Sequence, residues 1–216
     1  TCTFCGKCSQ VCAYHALAVL PGEVLVFPEL CHGCGACAYL CPEKAISEAK
    51  REIGVVDTGY VGKIEFVQGK LNVGEAMAVP LIRAVKAQSW RNGTTIIDVP
   101  PGTACPVVES IKDSNFCLLV TEPTPFGLWD LALAVDLTRK VGVPCGVVIN
   151  RDMPGYDDTE DYCNRERIPI LMRIPYDRQI ATRYSRGITL AEGLPEWKER
   201  LVGLLQEIQS LAGVKL

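Results

Sequence analysis

"CHGCGACAYLCP", Cys31 to Pro42, spaces four cysteines as C-x2-C-x2-C-x3-C, and "CTFCGKCSQVCA", Cys2 to Ala13, repeats that spacing. Eight of the twelve cysteines fall within the first 41 residues, and the rest of the 216-residue chain carries only Cys105, Cys117, Cys145 and Cys163. A disulfide framework staples a whole small domain. Thiols crowded into one stretch, with no secretory signal opening the chain, read instead as metal ligands in a reducing compartment, and a cytoplasmic location is expected. The length suits one or two domains with a sizeable core. Apolar residues make up 48% and charged residues 22%, with a net charge of −3, a composition that argues against a nucleic-acid surface. No apolar run reaches the roughly 18 residues of a membrane helix.

Three cysteines at steps of three wrap a short loop around one face of an iron–sulfur cube. The fourth follows on a helical turn, and in two-cluster ferredoxins it ligates the other cube. The expected cofactors are two 4Fe–4S clusters, one held by Cys2, Cys5, Cys8 and Cys41, the other by Cys31, Cys34, Cys37 and Cys12. Gly6, Gly33 and Gly35 supply tight turns that aim N–H groups at sulfur. Zinc is the alternative, but its sites use four ligands, and a third cysteine at the next step of three would be surplus. The first run ends Cys12-Ala13 where the second ends Cys41-Pro42, and that proline is not a ligand. His15 and His32 are expected at the surface. "LAVLPGEVLVFPEL" predicts a hairpin about Pro21-Gly22.

Beyond Glu48 the pattern changes. "IGVVDTGYVGKIEFVQGKL" alternates and predicts a hairpin turning at Gly59 and Gly62. "VPLIRAVKAQSW" has helical period. Strands are predicted at Thr94–Pro100, Phe116–Glu122, "CGVVIN" and "IPILMRIP". Between and after them come helices at "FGLWDLALAVDLTRKVG", apolar on most sides and so expected to be buried, at "DDTEDYCNRERI", and at a final amphipathic stretch ending at Gly213. Continuously apolar strands separated by helices imply a mostly parallel sheet flanked by helices. The predicted architecture is therefore a small α+β ferredoxin-type domain over 1–48 and an α/β domain over 49–216. Ligands of such sheets bind beyond the carboxyl ends of the strands. There Asp98 reads either as a Mg²⁺-side acid or as a strand cap, and Asn150 as a purine reader or a turn residue. Cys105, at a helix start, reads as a redox thiol or, more readily, as a small buried residue, and Cys117, Cys145 and Cys163 read as core or helix-face residues.

"IIDVPPGTACPVVES", "LLVTEPTPFGLWDLALAVDL", "GVVINR" and "IPYDRQIA" resemble the MinD/ParA-type P-loop ATPases, and among them the members with an inserted two-cluster ferredoxin domain. The resemblance implies ATP and Mg²⁺ as ligands, Asp98 as the switch-II acid, Gly102 as γ-phosphate sensor, and Asn150 with Pro175 and Asp177 about the adenine. It also implies a possible homodimer. The family's Gly-Lys-Thr/Ser loop is absent, so the chain is expected to be a piece of a longer ATPase. The strand of that loop would lie between Thr94–Pro100 and Leu118–Thr121. The implied function is iron–sulfur electron transfer coupled to ATP hydrolysis in the longer chain, with a separate redox partner protein. The alternatives are an electron-transfer subunit with an inactive α/β domain and an iron–sulfur cluster carrier.

Overall fold

The structure, a computed structural model, describes residues 1–88 and 93–213. The chain divides into two compact units, Thr1–Arg91 and Asn92–Leu216. The first opens with α1 (Lys7–Val11), the strands β1 (Leu17–Leu20) and β2 (Glu23–Val26), and α2 (Ala36–Tyr39). β1 and β2 form an antiparallel hairpin in the register Leu17↔Val26 to Leu20↔Glu23, turning at Pro21-Gly22 as predicted. Gly22 takes φ 82°, a conformation that costs glycine little.

A second antiparallel hairpin joins β3 (Gly54–Val61) to β4 (Ile64–Leu71). Its two-residue turn is Gly62-Lys63, with Gly62 at φ 60°. Gly59 makes no turn; it lies inside β3 opposite Phe66. Helix α3 (Val79–Ala87) lays Leu81 and Val85 against Gly69 so closely that a Cβ there would meet them at 2.9 and 3.0 Å. The end of the predicted helical stretch, Ser89 and Trp90, lies outside the described residues.

The second unit begins its regular structure at α4 (Cys105–Ile111), followed by β5 (Cys117–Thr121), α5 (Pro125–Val141), β6 (Cys145–Asp152), α6 (Asp158–Glu166) and β7 (Ile170–Pro175). Three helices close it: α7 (Arg178–Tyr184), α8 (Leu190–Gly193) and α9 (Pro195–Leu211). The strands form one parallel sheet in the order β5-β6-β7. Successive residues of β6 point to opposite faces. Val147 and Ile149 pack with Leu131 and Val135 of α5 and Cys163 of α6. Val148 packs with Met172 and with Trp197 of α9, joined by Ile180, Leu190 and Leu204. The result is a three-layer α/β/α core, as the continuously apolar strands require.

Two expectations need correction. Residues 94–100 form no strand: they pair with nothing in the sheet, and Ile96 is 85% exposed. A β-branched apolar run has the propensity for a strand but needs a neighbour to supply its ladder, and β5 is bonded only to β6 among the described residues. Helix α5 is not buried all round. Leu131, Val135 and Thr138 face the core, while Phe126 and Trp129 are 85% and 69% exposed. Only one side of α5 has the sheet to cover it. Its ends are well specified: Thr124 Oγ1 accepts from the Gly127 N–H at 3.0 Å, and Gly142 closes it at φ 78°.

Candidate metal centre

The two cysteine runs fold alike at an offset of 29, α1 running one residue longer than α2. Phe4 and Gly33 have φ 55° and 60°, Gly6 and Gly35 have 76° and 73°, and His15 and Lys44 have 53° and 49°. Each run turns left-handed before a short helix, Gly6 into α1 and Gly35 into α2. The helices begin alike, Gln10 N–H donating to Gly6 O at 3.1 Å and Tyr39 N–H to Gly35 O at 2.9 Å. They end alike, the Cys12 and Cys41 N–H groups each donating to the carbonyl three residues back at 3.4 Å.

The sulfurs are furnished the same way. Ala16 N–H donates to Cys12 Sγ at 3.3 Å, and Ala45 N–H to Cys41 Sγ at 3.4 Å. Phe4 N–H donates to Cys2 Sγ at 3.4 Å. Amide donors aimed at cysteine sulfur are the levers by which a protein tunes an iron–sulfur centre. Gly6, Gly33 and Gly35 are the turn residues expected from the sequence; Phe4, His15 and Lys44 are not among them. The signal for them was the same 29-residue offset that relates the cysteines.

The runs also touch. Helices α1 and α2 pack together. The Tyr14 ring, which follows the first run, stacks on His32 inside the second, with centroids 3.5 Å apart and planes 4° from parallel. Burial holds the Cys37 thiol above its ordinary value, against the pull of the Ala38 and Cys37 amides, and Cys31 and Cys34 add repulsion. Among the described residues no three His, Cys, Asp or Glu side chains are gathered as a set that could hold a metal ion. The donor type, the doubled turns and the amide–sulfur bonds fit clusters at these two runs.

The residues implied in nucleotide binding are less gathered. Asp98 and Gly102 stand exposed in the irregular segment before α4, Gly102 with φ 98°. Asn150 is near the carboxyl end of β6, and Pro175 closes β7 beside it in the pair Asp152↔Pro175. Asp177 caps α7, its Oδ1 accepting from Gln179 N–H at 2.7 Å. Between Asn150 and Asp152 the ladder is irregular, and Arg151 takes φ 52° while its guanidinium meets Glu122 at 3.4 Å. A non-glycine left-handed residue at the sheet's carboxyl end is strain of the kind found beside ligands. No phosphate cradle accompanies it: the sequence has no Gly-Lys-Thr/Ser loop, so these residues by themselves do not fit a bound triphosphate.

Cys105 is exposed at the start of α4, contrary to its reading as a small buried residue, and the irregular segment before it is mostly exposed too. Cys117 and Cys145 are half-buried partners across β5 and β6, and Cys163 is fully buried. Burial, with Cys145 adding to it, pushes the Cys117 thiol up to about 11. His15 is exposed, and His32 is half-buried under Tyr14. No helix among the described residues is long and apolar enough to cross a membrane.

The 4Fe-4S binding domain family matches residues 24–47. MJ0578 of Methanocaldococcus jannaschii, described as uncharacterized, is 35% identical over 212 residues, covering 96% of this chain and 72% of its own. MJ0579 of the same organism, likewise described, is 30% identical over 186 residues, and the chain spans 63% of its length. An iron-sulfur cluster carrier protein of Pyrococcus horikoshii is 30% identical over 142 residues, 55% of this chain and 48% of that protein. Among solved structures, the cell division ATPase MinD of Pyrococcus furiosus aligns with a TM-score of 0.43 and 29% identity over 53% of this chain and 50% of that one.

Proposed function

We propose a function from one premise: the chain belongs to the protein family of MJ0578 of Methanocaldococcus jannaschii. It is an iron–sulfur protein, and its function is electron transfer through two 4Fe–4S clusters. Cys2, Cys5, Cys8 and Cys41 hold one, and Cys31, Cys34, Cys37 and Cys12 the other. The observation that carries this is the 29-residue repeat of backbone angles and amide–sulfur bonds in the two runs. When bound, such a cluster takes up and releases single electrons. The chain's own residues set how readily. Amide N–H groups at Ala16 and Ala45 withdraw charge from Cys12 and Cys41, favouring the reduced form. Cys2, Cys5 and Cys34 are exposed, so a redox partner protein can approach both loops closely.

Protein purified without oxygen should contain about eight irons and eight inorganic sulfides. The crossed assignment is tested by spectroscopy of two variants. Cys37→Ser should perturb the second cluster and Cys41→Ser the first, although the two residues are neighbours. Loss of one and the same signal from both variants would show that each run serves its own cluster.

ATP coupling belongs in this reading to a longer chain of the family, with Asp98 and Gly102 on the Mg²⁺ and γ-phosphate side and Asn150, Pro175 and Asp177 about the base. The resemblance and the strained Asn150–Asp152 ladder support it. Residues 1–216 alone should then lack ATPase activity, and hydrolysis by this chain would refute the assignment. A second reading, cluster delivery, is favoured by the name of the Pyrococcus horikoshii relative. Transfer of clusters to an apo-protein faster than their loss to a chelator would select it over electron transfer.

A further inference from the structure

The helix after β7 and the turn that follows it present arginines that hold no carboxylate among the described residues. Arg178, Gln179, Thr182, Arg183 and Arg186 line one groove of about 370 Å³ together with Ile188. On α7 these positions recur at i, i+1, i+4 and i+5 and so share a face. The turn after the helix fixes the last arginine: Arg186 N–H donates to Arg183 O at 2.9 Å, Ile188 N–H to the same carbonyl at 3.1 Å, and Gly187 sits at φ 72°. Arg183 is half-buried, its Cδ lying 2.7 Å from where a Cβ on Gly193 would stand.

Four other arginines of the same unit are matched, while Arg167 and Arg200 hold no acid among the described residues. Arg139 holds Glu166, Arg151 holds Glu122, Arg165 lies by Glu166, and Arg173 holds Glu160 and Asp152. Arg178, Arg183 and Arg186 hold no acid among the described residues. The nearest in sequence, Asp177, is committed to capping Gln179 N–H. Like charges converging on one helical face repel, and guanidinium cannot relieve this by losing its proton. Such an arrangement is made good by an anion.

We propose that this groove binds a compact polyphosphate group. The groove is open to solvent, and apart from Ile188 its side chains bring charged or hydrogen-bonding ends on aliphatic arms. Guanidinium forks match phosphate oxygens in pairs, and three fixed positive charges match the charge that adjacent phosphates concentrate. None of Asp98, Gly102, Asn150, Pro175 and Asp177 lines the groove, although Asp177 directly precedes Arg178 and caps the same helix.

The test is calorimetric titration of the cluster-loaded 216-residue chain with inorganic pyrophosphate, in chelator-free buffer, with visible absorption confirming that the clusters are kept. Pyrophosphate should bind, and raising salt should weaken it. Arg178→Gln and Arg186→Gln, both at exposed positions, should each weaken binding about tenfold. Lys198→Gln on α9, outside the groove, should leave it unchanged. Citrate, a tricarboxylate of similar charge, should bind more weakly. No binding, binding indifferent to both arginine variants, or citrate binding as tightly as pyrophosphate would each overturn the proposal.

Discussion

His15 and Lys44 hold the same left-handed backbone, φ 53° and 49°, each one residue before the amide that donates to a cysteine sulfur. The left-handed conformation costs a side-chain-bearing residue about 1 kcal/mol, less for histidine than for most. Glycine at either place should relieve that strain and stabilise the cluster-loaded protein by about 0.5 kcal/mol. His15→Val should destabilise it, since β-branched residues tolerate the conformation worst. Thermal loss of visible absorption would read both. Equal midpoints for the glycine and valine variants would refute the strain.

Gly127 is required by space. A Cβ there would lie 2.3 Å from the Glu122 carbonyl oxygen, a backbone atom that cannot swing away. Alanine's helix propensity favours the change by about 1 kcal/mol, but the clash costs more, so Gly127→Ala should destabilise by about 1–3 kcal/mol. Gly203 of α9 has nothing within 4 Å of its would-be Cβ, and Gly203→Ala should stabilise by about 0.5–1 kcal/mol. Denaturant midpoints of the pair should move in opposite directions.

Glu166 ties α6 to α5. Arg139 Nη1 meets its carboxylate at 2.8 Å and Nη2 its carbonyl at 3.0 Å. The Arg139 hydrogen bond holds the Glu166 carboxyl below its ordinary value. A carboxyl depressed by folding adds stability above its unfolded value, about pH 4.3, and that stability fades as pH falls through the lower folded value. The Glu166→Gln variant should therefore be less stable than the parent at pH 7, and the gap should shrink below about pH 4. A gap that persists there would assign the effect to packing. The partly exposed setting keeps it small.

Thiol reactivity should divide the four remaining cysteines. Cys105 is exposed, Cys117 is held at about 11, and burial raises Cys163. Only thiolate alkylates readily, so iodoacetamide at pH 8 should mark Cys105 first in the native, cluster-loaded protein. Cys117 and Cys163 should react only after unfolding. Peptide mass mapping would show it, and native labelling of Cys163 would contradict the packing.

The parts legible in the sequence were those fixed by local chemistry. Cysteine spacing gave the doubled turns, because steps of three determine a loop irrespective of distant contacts. The strands β5, β6 and β7 announced themselves as continuous apolar runs. Thr94–Pro100 looked no different, yet a strand exists only when a neighbour supplies its ladder. Phe126 and Trp129 show the same limit, since composition records apolar area and not what covers it. The arginine groove was overlooked, although "DRQIATRYSR" carries its signal: two cations on the helix, a third in the turn after it, and no acid beyond the cap.

The unpartnered side of β5 has a consequence that exchange with heavy water would make visible. Cys117 N–H donates across to Pro144 O at 2.9 Å, and amides along a strand alternate in direction. Leu119 and Thr121 therefore donate inward with Cys117, while the amides of Leu118 and Val120 project from the free edge. Deuterium should enter this strand in an odd–even rhythm, fast at 118 and 120 and slow at 119, within a single five-residue element. Any polypeptide that came to lie along that edge would abolish the rhythm, and those two amides would report its arrival.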